Sequence, residues 1–307
     1  MRYIYIKIFI IIVFLFPCHS FAEITFTNGK WESTFDCAEY ISFSGTMDCD
    51  GMADSGGPWT VDGNQTTITS AANNPDGGGG RGARFWKGDG ENICSSTIAV
   101  TFPSDQPEIW VRWYERYQSG FEWGATYDVK SLYFKNAQSY PYVGYKADGY
   151  RFYFGGSAAG PWPGYGDFAG LWTDVYPTGT ADGTWHCFEV YMKAETDGQS
   201  DGVGRIWIDG ELIAEETAMD WGSSGFDGWT YFDFLSNQKY PSNGQAMYVD
   251  VDDMVVYNTT PPNTDGSGNP YIGPLGESPP AFGAKSTIGS ATNAPAFDTA
   301  TNAPAVE

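Results

Sequence analysis

The sequence predicts an all-β protein, a two-sheet antiparallel β-sandwich formed by one domain. Many short runs of aromatic and β-branched residues are separated by turns rich in Gly, Asn and Asp. No segment has the 3.6-residue periodicity of an amphipathic helix. Residues 23–258 are long enough for a single sandwich of this kind.

The first 22 residues are typical of a secretion signal. Arg2 and Lys7 precede the apolar run Ile8 to Phe16. Ser20-Phe21-Ala22 then places small residues, Ser20 and Ala22, where a signal peptidase would cut. Because the apolar run is short for a membrane span, we expect cleavage and a secreted, extracellular or cell-surface protein with no membrane attachment. An uncleaved N-terminal anchor is the alternative.

The charge of the chain excludes some partners. Without residues 1–22 the chain has 14 basic and 38 acidic residues, which gives a net charge of −24. Nucleic acids and anionic membranes require clustered Lys and Arg, so we expect neither as a partner. We expect the domain to be a monomer.

Four cysteines remain after the signal, and an even number in an exported chain predicts two disulfides. Three pairings are possible. Cys37 with Cys49 closes a short loop, which leaves Cys94 with Cys187 as the second pair. No C-x-x-C spacing indicates a metal site at these residues.

The most informative stretch is Gly183 to Ile213, which predicts two strands around a Gly/Asp-rich turn and a third strand after Asp209-Gly210. His186 alternates with the apolar residues of its strand. We therefore expect it to be a buried structural histidine rather than a catalytic base.

The pattern G-x-W-H-x-x-E-V-x-x-K followed by D-G-x-G-x-I-W-I-D-G-E-L resembles the paired back strands of concanavalin A-like jelly rolls. The resemblance is strongest to secreted polysaccharide lyases and related glycan-binding domains, and it extends over Phe85 to Tyr257. It implies a curved sandwich whose concave face forms a glycan cleft.

Alternating residues predict further strands along the chain. They are Asn64–Thr69, Ala83–Trp86, Ser96–Phe102, Glu108–Tyr117, Val129–Lys135, Tyr142–Lys146, Tyr150–Phe154, Tyr231–Leu235 and Ala246–Tyr257. Between the first two, Asn73 to Gly82 contains four consecutive glycines and predicts a flexible surface loop.

The strand Glu108–Tyr117 supplies the candidate cleft residues. Its alternation puts Trp110, Arg112, Tyr114 and Arg116 on one face. Lys135 and Lys146 extend this set on nearby strands, and Trp162 and Tyr165 lie in a Gly/Pro-rich loop. The rings of that loop either border a sugar site or cover the end of the core.

β-Elimination on a uronate sugar needs a cation for the carboxylate, a base for the C5 proton and an acid for the leaving oxygen. Arg112 or Arg116 suits the first role, and Tyr114, Tyr142 or Lys130 suits the others. Lys130 resembles the lysine of a G-G-K-L segment in one polysaccharide lyase group. A salt bridge within the sheet is the alternative role for each arginine.

The strand near the C-terminus resembles the last strand of these folds, which carries an aspartate beside a calcium ion. Asp250, Asp252 and Asp253 are the candidate ligands, with Glu32, Asp36 or backbone carbonyls completing the site. A solvated acidic strand end is the alternative. From Thr259 onward the composition predicts a disordered linker or tail, residues 259–307, in which ATNAPAF recurs as ATNAPAV.

Three functions are compatible with these features. The resemblance favours a secreted polysaccharide lyase-like protein that acts on or binds an extracellular, possibly uronate-containing polysaccharide. The alternatives are a lectin-like module with the same cleft and no catalysis, or a surface or adhesion protein. A net charge of −24 repels a polyanionic sugar at long range, so a uronate substrate requires a local basic cluster or bound calcium; five of the 14 basic residues fall between positions 112 and 146.

Overall fold

The structure, a computed structural model, describes residues 23–36, 40–47, 59–87, 97–122, 129–135, 142–146, 151–155, 180–196, 199–219, 221, 226–235 and 246–276. Their regular secondary structure is strand apart from two single-turn 3-10 helices, Ser70–Ala72 and Pro75–Gly77. The strands are β1 Lys30–Ser33, β2 Tyr40–Met47, β3 Trp59–Thr69, β4 Gly82–Lys87, β5 Thr97–Gln106, β6 Glu108–Tyr117, β7 Val129–Lys135, β8 Tyr142–Lys146, β9 Arg151–Gly155, β10 His186–Lys193, β11 Gly202–Ile208, β12 Glu211–Met219, β13 Trp229–Phe234, β14 Met247–Tyr257, β15 Asn263–Thr264 and β16 Pro270–Tyr271.

Hydrogen bonds join the long strands in the order β12-β11-β10-β6-β14-β4-β3-β5-β13-β7-β8-β9, and β1 and β2 pair with β14 and β3. Strand β3 belongs to both halves of this path. Its residues 60–62 pair with β5, and its residues 66–69 pair with β4. A strand that changes sheets in this way turns the path back on itself and produces two layers.

The two layers pack through apolar side chains. Trp113 of β6 meets Phe234 of β13 edge-to-face, with ring centroids 5.2 Å apart, although these strands are far apart in the hydrogen-bonded order. One continuous core contains residues from both halves. We call β4, β6, β10, β11, β12 and β14 layer one, and β5, β7, β8, β9 and β13 layer two. The predicted two-sheet antiparallel sandwich is confirmed.

The alternation in the sequence identifies most strands. Strands β6, β7 and β8 have the predicted bounds, and β4, β9, β13 and β14 differ from them by one or two residues at either end. In β6, Val111, Trp113 and Tyr117 lie in the core, while Trp110, Arg112 and Tyr114 point away from it. Strands β1 and β2 were not predicted; β1 is only four residues long, and β2 lies in a stretch where Gly and Asp separate short groups of aromatic residues.

Residues 259–276, which we call the C-terminal strap, correct the prediction of a disordered tail from Thr259. They contain the short β15–β16 hairpin and pack on the outer face of layer one. Trp207 donates from Nε1 to Asp265 Oδ2 at 2.9 Å, and Glu189 accepts hydrogen bonds from the backbone N–H groups of Ile272 and Gly273. Residues 277–307 and the predicted signal, residues 1–22, lie outside the described residues.

Within the described part of the chain, no helix has the length and apolarity needed to cross a membrane.

Candidate functional site

The predicted cleft residues do not share one surface. Strand β6 lies in layer one, whereas β7 and β8 lie in layer two, so Arg112 and Arg116 lie on the opposite side of the sandwich from Lys135 and Tyr142. The prediction of a single cleft that joins these residues is therefore corrected. Alternation within each strand was right, but it does not show in which layer a strand lies.

The C-terminal strap covers three of the β6 residues. Trp110, Arg112 and Tyr114 are 2%, 4% and 6% exposed, too little for a polysaccharide to reach them. Trp110 stacks on Tyr191 at 4.5 Å and donates from Nε1 to the carbonyl oxygen of Pro270 at 3.1 Å. Its role in this structure is to hold the strap against the sheet.

Arg112 and Tyr114 also fasten the strap. Arg112 donates to the carbonyl oxygens of Asp253 and Gly273 at 3.2 and 3.4 Å, and Tyr114 Oη accepts a hydrogen bond from Leu275 N at 2.6 Å. Burial, followed by the neighbouring Cys187, raises the pKa of Tyr114. A buried phenol with a raised pKa does not suit proton abstraction at neutral pH.

Arg116 lies beyond the strap and belongs to an ion triad. It donates from Nε to Asp250 Oδ2 at 3.1 Å, and Arg84 donates from Nε to Asp250 Oδ1 at 2.7 Å. Asp250 is fully buried, and its carboxylate forms ion pairs with both guanidinium groups. The structural role that the sequence left open for Arg116 is the one observed.

The outer face of layer two carries a polar and aromatic set that we call the tyrosine–lysine face. Strands β7 and β13 bury Leu132, Phe134, Phe232 and Phe234 in the core. Their alternate side chains therefore point outward. The members of the set are Tyr133, Lys135, Tyr142, Tyr231 and Asp233; Tyr133, Lys135 and Tyr231 are partly exposed, whereas Tyr142 and Asp233 are each 9% exposed and lie beneath them.

Lys135 is at the centre of this face. Its Nζ forms an ion pair with Asp233 and lies 4.7 Å from the centroid of the Tyr133 ring and 5.4 Å from that of Tyr231. Tyr142 meets Tyr133 edge-to-face, with centroids 5.7 Å apart. The arrangement places an ammonium, a carboxylate and phenols side by side, the functional groups that bind sugars and transfer protons.

The sequence predicted Lys135 and Tyr142 and missed Tyr133, Tyr231 and Asp233. The alternation in Leu132-Tyr133-Phe134-Lys135 could have identified Tyr133, because the residues on either side of it are apolar. Tyr231 and Asp233 could not be assigned in this way, since only the pairing of β13 with β7 brings them beside Lys135. That pairing joins strands nearly 100 positions apart in the chain.

Four other candidates cannot be placed in the same detail. The side chains of Lys130 and Lys146, and the loop with Trp162 and Tyr165, lie outside the described residues. The backbone of Lys130 pairs with Gly144 in β8, next to the tyrosine–lysine face.

His186 is held at the end of β10 rather than within the apolar core. Its Nδ1 lies 2.8 Å from Asp209 Oδ2, and its Nε2 lies 3.0 Å from Thr184 Oγ1. Asp209 Oδ1 also accepts from the backbone N–H of Cys187, so this network ties the hairpin turn to β10. The histidine is hydrogen-bonded, as expected, and 14% of its side chain is exposed.

Cys187 is a free, buried thiol in the structure, so the predicted Cys94–Cys187 disulfide is not formed. Cys187 points away from the core beside Tyr114. Burial raises the pKa of its thiol, and the positive charge of the nearby Arg112 offsets part of this increase. Cys37, Cys49 and Cys94 lie outside the described residues.

Of the predicted calcium ligands, two do not suit a metal. Asp250 is balanced by two arginines, and Glu32 is exposed and paired with Lys30. Among the residues that the structure describes, no group of three or more acidic, His or Cys side chains has the spacing of a metal site.

Asp252 and Asp253 are buried beside the glycine-rich loop. Asn74, fully buried, donates from its backbone N to Asp252 Oδ2 at 2.7 Å and from Nδ2 to Asp253 Oδ2 at 2.8 Å. Burial, and then the charge of Asp253, raises the pKa of Asp252 to about 8. A cation would relieve the cost of this buried charge, so these oxygens fit calcium in chemistry.

The same loop shows why its glycines are present. A Cβ at Gly77 would collide with the Asp253 carboxylate, and one at Gly80 would collide with the Asp36 carboxylate. Arg81 N also donates to Asp36 Oδ1 at 2.6 Å. The loop is at the surface, as predicted, but its backbone is fitted closely against three acidic side chains.

No protein-family model and no curated protein matches the sequence. The chain is similar to several solved structures. A mutant of alginate lyase Aly36B in complex with an alginate trisaccharide is 17% identical, with a TM-score of 0.46 over 71% of this chain and 99% of that chain. Alginate lyase vAL-1 from Chlorella virus is 16% identical, with a TM-score of 0.45 over 65% and 92%.

An endo-β-1,4-glucuronan lyase from the fungus Trichoderma reesei is 13% identical, with a TM-score of 0.46 over 72% of this chain and 96% of that chain. All three are polysaccharide lyases, the class that the central hairpin resembles in sequence.

Proposed function

We propose that this chain is a secreted, polysaccharide lyase-like protein that binds an extracellular, uronate-containing polysaccharide at the tyrosine–lysine face and cleaves it by β-elimination. The observation that carries the proposal is that Lys135 Nζ lies close to the rings of both Tyr133 and Tyr231, with Tyr142 in contact with Tyr133. Flat rings stack on sugars, and an ammonium holds a carboxylate.

Each group has a role in this reaction. Lys135 would bind the C6 carboxylate of the sugar and stabilise the charge that develops when the C5 proton leaves. One of the two tyrosines, Tyr133 or Tyr142, would accept the C5 proton as its phenolate. The other, as a neutral phenol, would donate its proton to the leaving O4 oxygen while the C4–O4 bond breaks and the C4=C5 double bond forms. Asp233 positions Lys135 through their ion pair. Lys130 remains a candidate for either proton transfer, since its backbone lies on the adjoining part of β7.

The test is the ultraviolet absorbance of unsaturated product ends, measured on alginate, glucuronan and a neutral glucan. We expect product from a uronate polymer only. Lys135→Ala and Tyr142→Phe should each lower kcat by about 10²-fold or more, the usual contribution of a group that transfers a proton or stabilises developing charge. The matched control is Lys193→Ala, an exposed lysine at the end of β10.

A glycan-binding module without catalysis is the second candidate, and one observation favours it. Asp233 balances the charge of Lys135, so this part of the face has no net charge and suits sugar stacking as well as carboxylate binding. Retained binding with no unsaturated product from any polymer would refute the lyase proposal and support this alternative. No binding of any glycan would refute both and leave a surface or adhesion role.

We also propose a structural calcium ion beside Asp252 and Asp253, with Asn74 and backbone carbonyls as further oxygen ligands. The raised pKa of Asp252 and the close glycine loop support it. Calcium should raise the melting temperature, and chelation should lower it. Asp252→Asn should abolish the response; a response that persists in this variant would contradict the assignment.

Export completes the proposal. Residues 1–22 are expected to be removed, and the mature protein is expected to be monomeric and to start near Glu23. N-terminal sequencing and size-exclusion chromatography of the secreted protein check both points. A retained Met1 terminus on exported protein would favour the N-terminal anchor instead.

A further inference from the structure

The outer face of layer one has an end, at Arg116, that no proposed function uses. The strap covers this face at Trp110, Arg112 and Tyr114, and within the described residues its hydrogen bonds do not reach Arg116. There, Trp86 of β4 pairs in register with Tyr248 of β14, and Asp250 pairs with Arg84 on one side and Arg116 on the other. Two adjacent rows of side chains therefore form a continuous surface.

We call this surface the arginine–tryptophan patch; its members are Arg84, Trp86, Arg116, Trp185 and Tyr248. Arg84 Cζ lies 3.5 Å from the centroid of the Tyr248 ring, and Arg116 Cζ lies 4.7 Å from that of Trp185. Trp86 meets Tyr248 edge-to-face at 5.4 Å. Stacking and register fix all five side chains, so a ligand would meet a preformed surface.

Trp86 is the feature that most needs explanation. It is 37% exposed, more than any other large hydrophobic residue in the described part of the chain. Indole is costly to leave in water, and exposed aromatic groups next to arginine are characteristic of binding surfaces. Its indole ring, nearly perpendicular to that of Tyr248, is a flat apolar group on which a sugar ring can stack.

The charges of the patch select the ligand. Arg84 and Arg116 share one carboxylate, Asp250, which leaves one excess positive charge in a chain whose net charge is −22. Both guanidinium groups also donate from Nη2 to the carbonyl oxygen of Ala71, at 3.2 and 2.7 Å. The Arg84 side chain also forms a hydrogen bond with Tyr248, whereas the Nη1 group of Arg116 makes no hydrogen bond within the described residues and has donors available for a carboxylate.

We propose that the arginine–tryptophan patch is a second, non-catalytic binding site for uronate sugars, with a sugar ring stacked on Trp86 and its carboxylate bound by Arg84 and Arg116. The ligand class rests on the proposed function, but the site lies on the opposite outer face from the tyrosine–lysine face. A long acidic polymer can therefore contact the protein at two places, which raises its local concentration at the first site.

The experiment uses the full chain in the Lys135→Ala background, so that the tyrosine–lysine face is weakened and binding at the patch is measured separately. The probes are a purified alginate oligosaccharide and a neutral cello-oligosaccharide of equal length, titrated by calorimetry. We expect residual binding of the alginate probe, and adding Trp86→Ala should weaken it about tenfold, as for a central aromatic contact.

A second variant tests the ligand class and guards against misfolding. Arg84→Lys keeps the charge beside Asp250 but removes the planar fork, and it should weaken alginate binding while thermal unfolding shows a folded protein. Residual binding that Trp86→Ala leaves unchanged would overturn the site. Equal binding of the neutral probe, or no effect of Arg84→Lys, would overturn the acidic ligand class.

The two proposals fail in different ways. Loss of unsaturated product in Lys135→Ala with normal patch binding supports both. A chain that yields no product but binds alginate at the patch refutes catalysis alone. Product formation on short oligosaccharides should not change in Trp86→Ala, whereas the KM for the long polymer should rise severalfold, because only the polymer spans both faces.

Discussion

Replacing Asp250 by Asn tests the central feature of the layer-one surface. Asp250 is fully buried and accepts hydrogen bonds from two guanidinium groups at 2.5 to 3.1 Å. The Asn side chain leaves Arg84 and Arg116 as neighbouring like charges with one acceptor oxygen between them. The variant should therefore unfold more easily than the natural protein.

The magnitude follows from the burial of the three groups. Removing one partner of a fully buried ion pair costs about 3–5 kcal/mol. Here the arginine side chains keep 14% and 22% exposure, so water recovers part of their solvation. We expect Asp250→Asn to lower the free energy of unfolding by about 2–4 kcal/mol. For a domain of this size the melting temperature should fall by about 4–16 °C.

The assay is urea unfolding at neutral pH, combined with a double-mutant cycle that uses Arg116→Met. We expect a coupling free energy of at least about 1 kcal/mol, because the two residues are in direct contact. The cost of Asp250→Asn should be the same in calcium and in chelator, since two arginines occupy the carboxylate. A cost below about 1 kcal/mol, or one that appears only with calcium, would refute the ion-triad interpretation.

Three further predictions concern the outer face of layer one. Deleting residues 259–307 should lower the melting temperature, measured by thermal unfolding, by several degrees because the strap covers buried aromatic side chains. Deleting only residues 277–307 is the control and should leave the melting temperature unchanged. Burial raises the pKa of Glu189 to about 7, so the stability contributed by its protonated form is fully present below about pH 4.5 and is lost as the pH rises through 7. The free energy of unfolding of the natural chain should therefore fall relative to that of Glu189→Gln over this pH range. Curves of unfolding free energy against pH that stay parallel for the two proteins would contradict this prediction. The Cys187 thiol should not react with a thiol reagent until the protein unfolds, and rapid labelling of this residue in the native protein would show that it is not buried.

The fold was largely accessible from the sequence because local patterns encode it. Strand β6 has its predicted bounds and its predicted faces, since alternation is a property of neighbouring residues. The tail was harder to predict: residues 259–276 have the composition of a linker, yet Asp265, Ile272 and Gly273 find partners on β10 and β11. Composition reports what a segment contains and does not show what covers it.

The sequence alone determined an all-β chain of high negative charge, the alternation of its strands, and a resemblance to polysaccharide lyases. Only the tertiary structure decided which strands share a surface. Arg112 and Lys135 are 23 positions apart and lie on opposite faces, whereas Lys135 and Asp233 are 98 positions apart and form an ion pair. The physical reason is that side-chain direction follows from local backbone geometry, while strand order depends on hydrogen bonds and packing between distant segments.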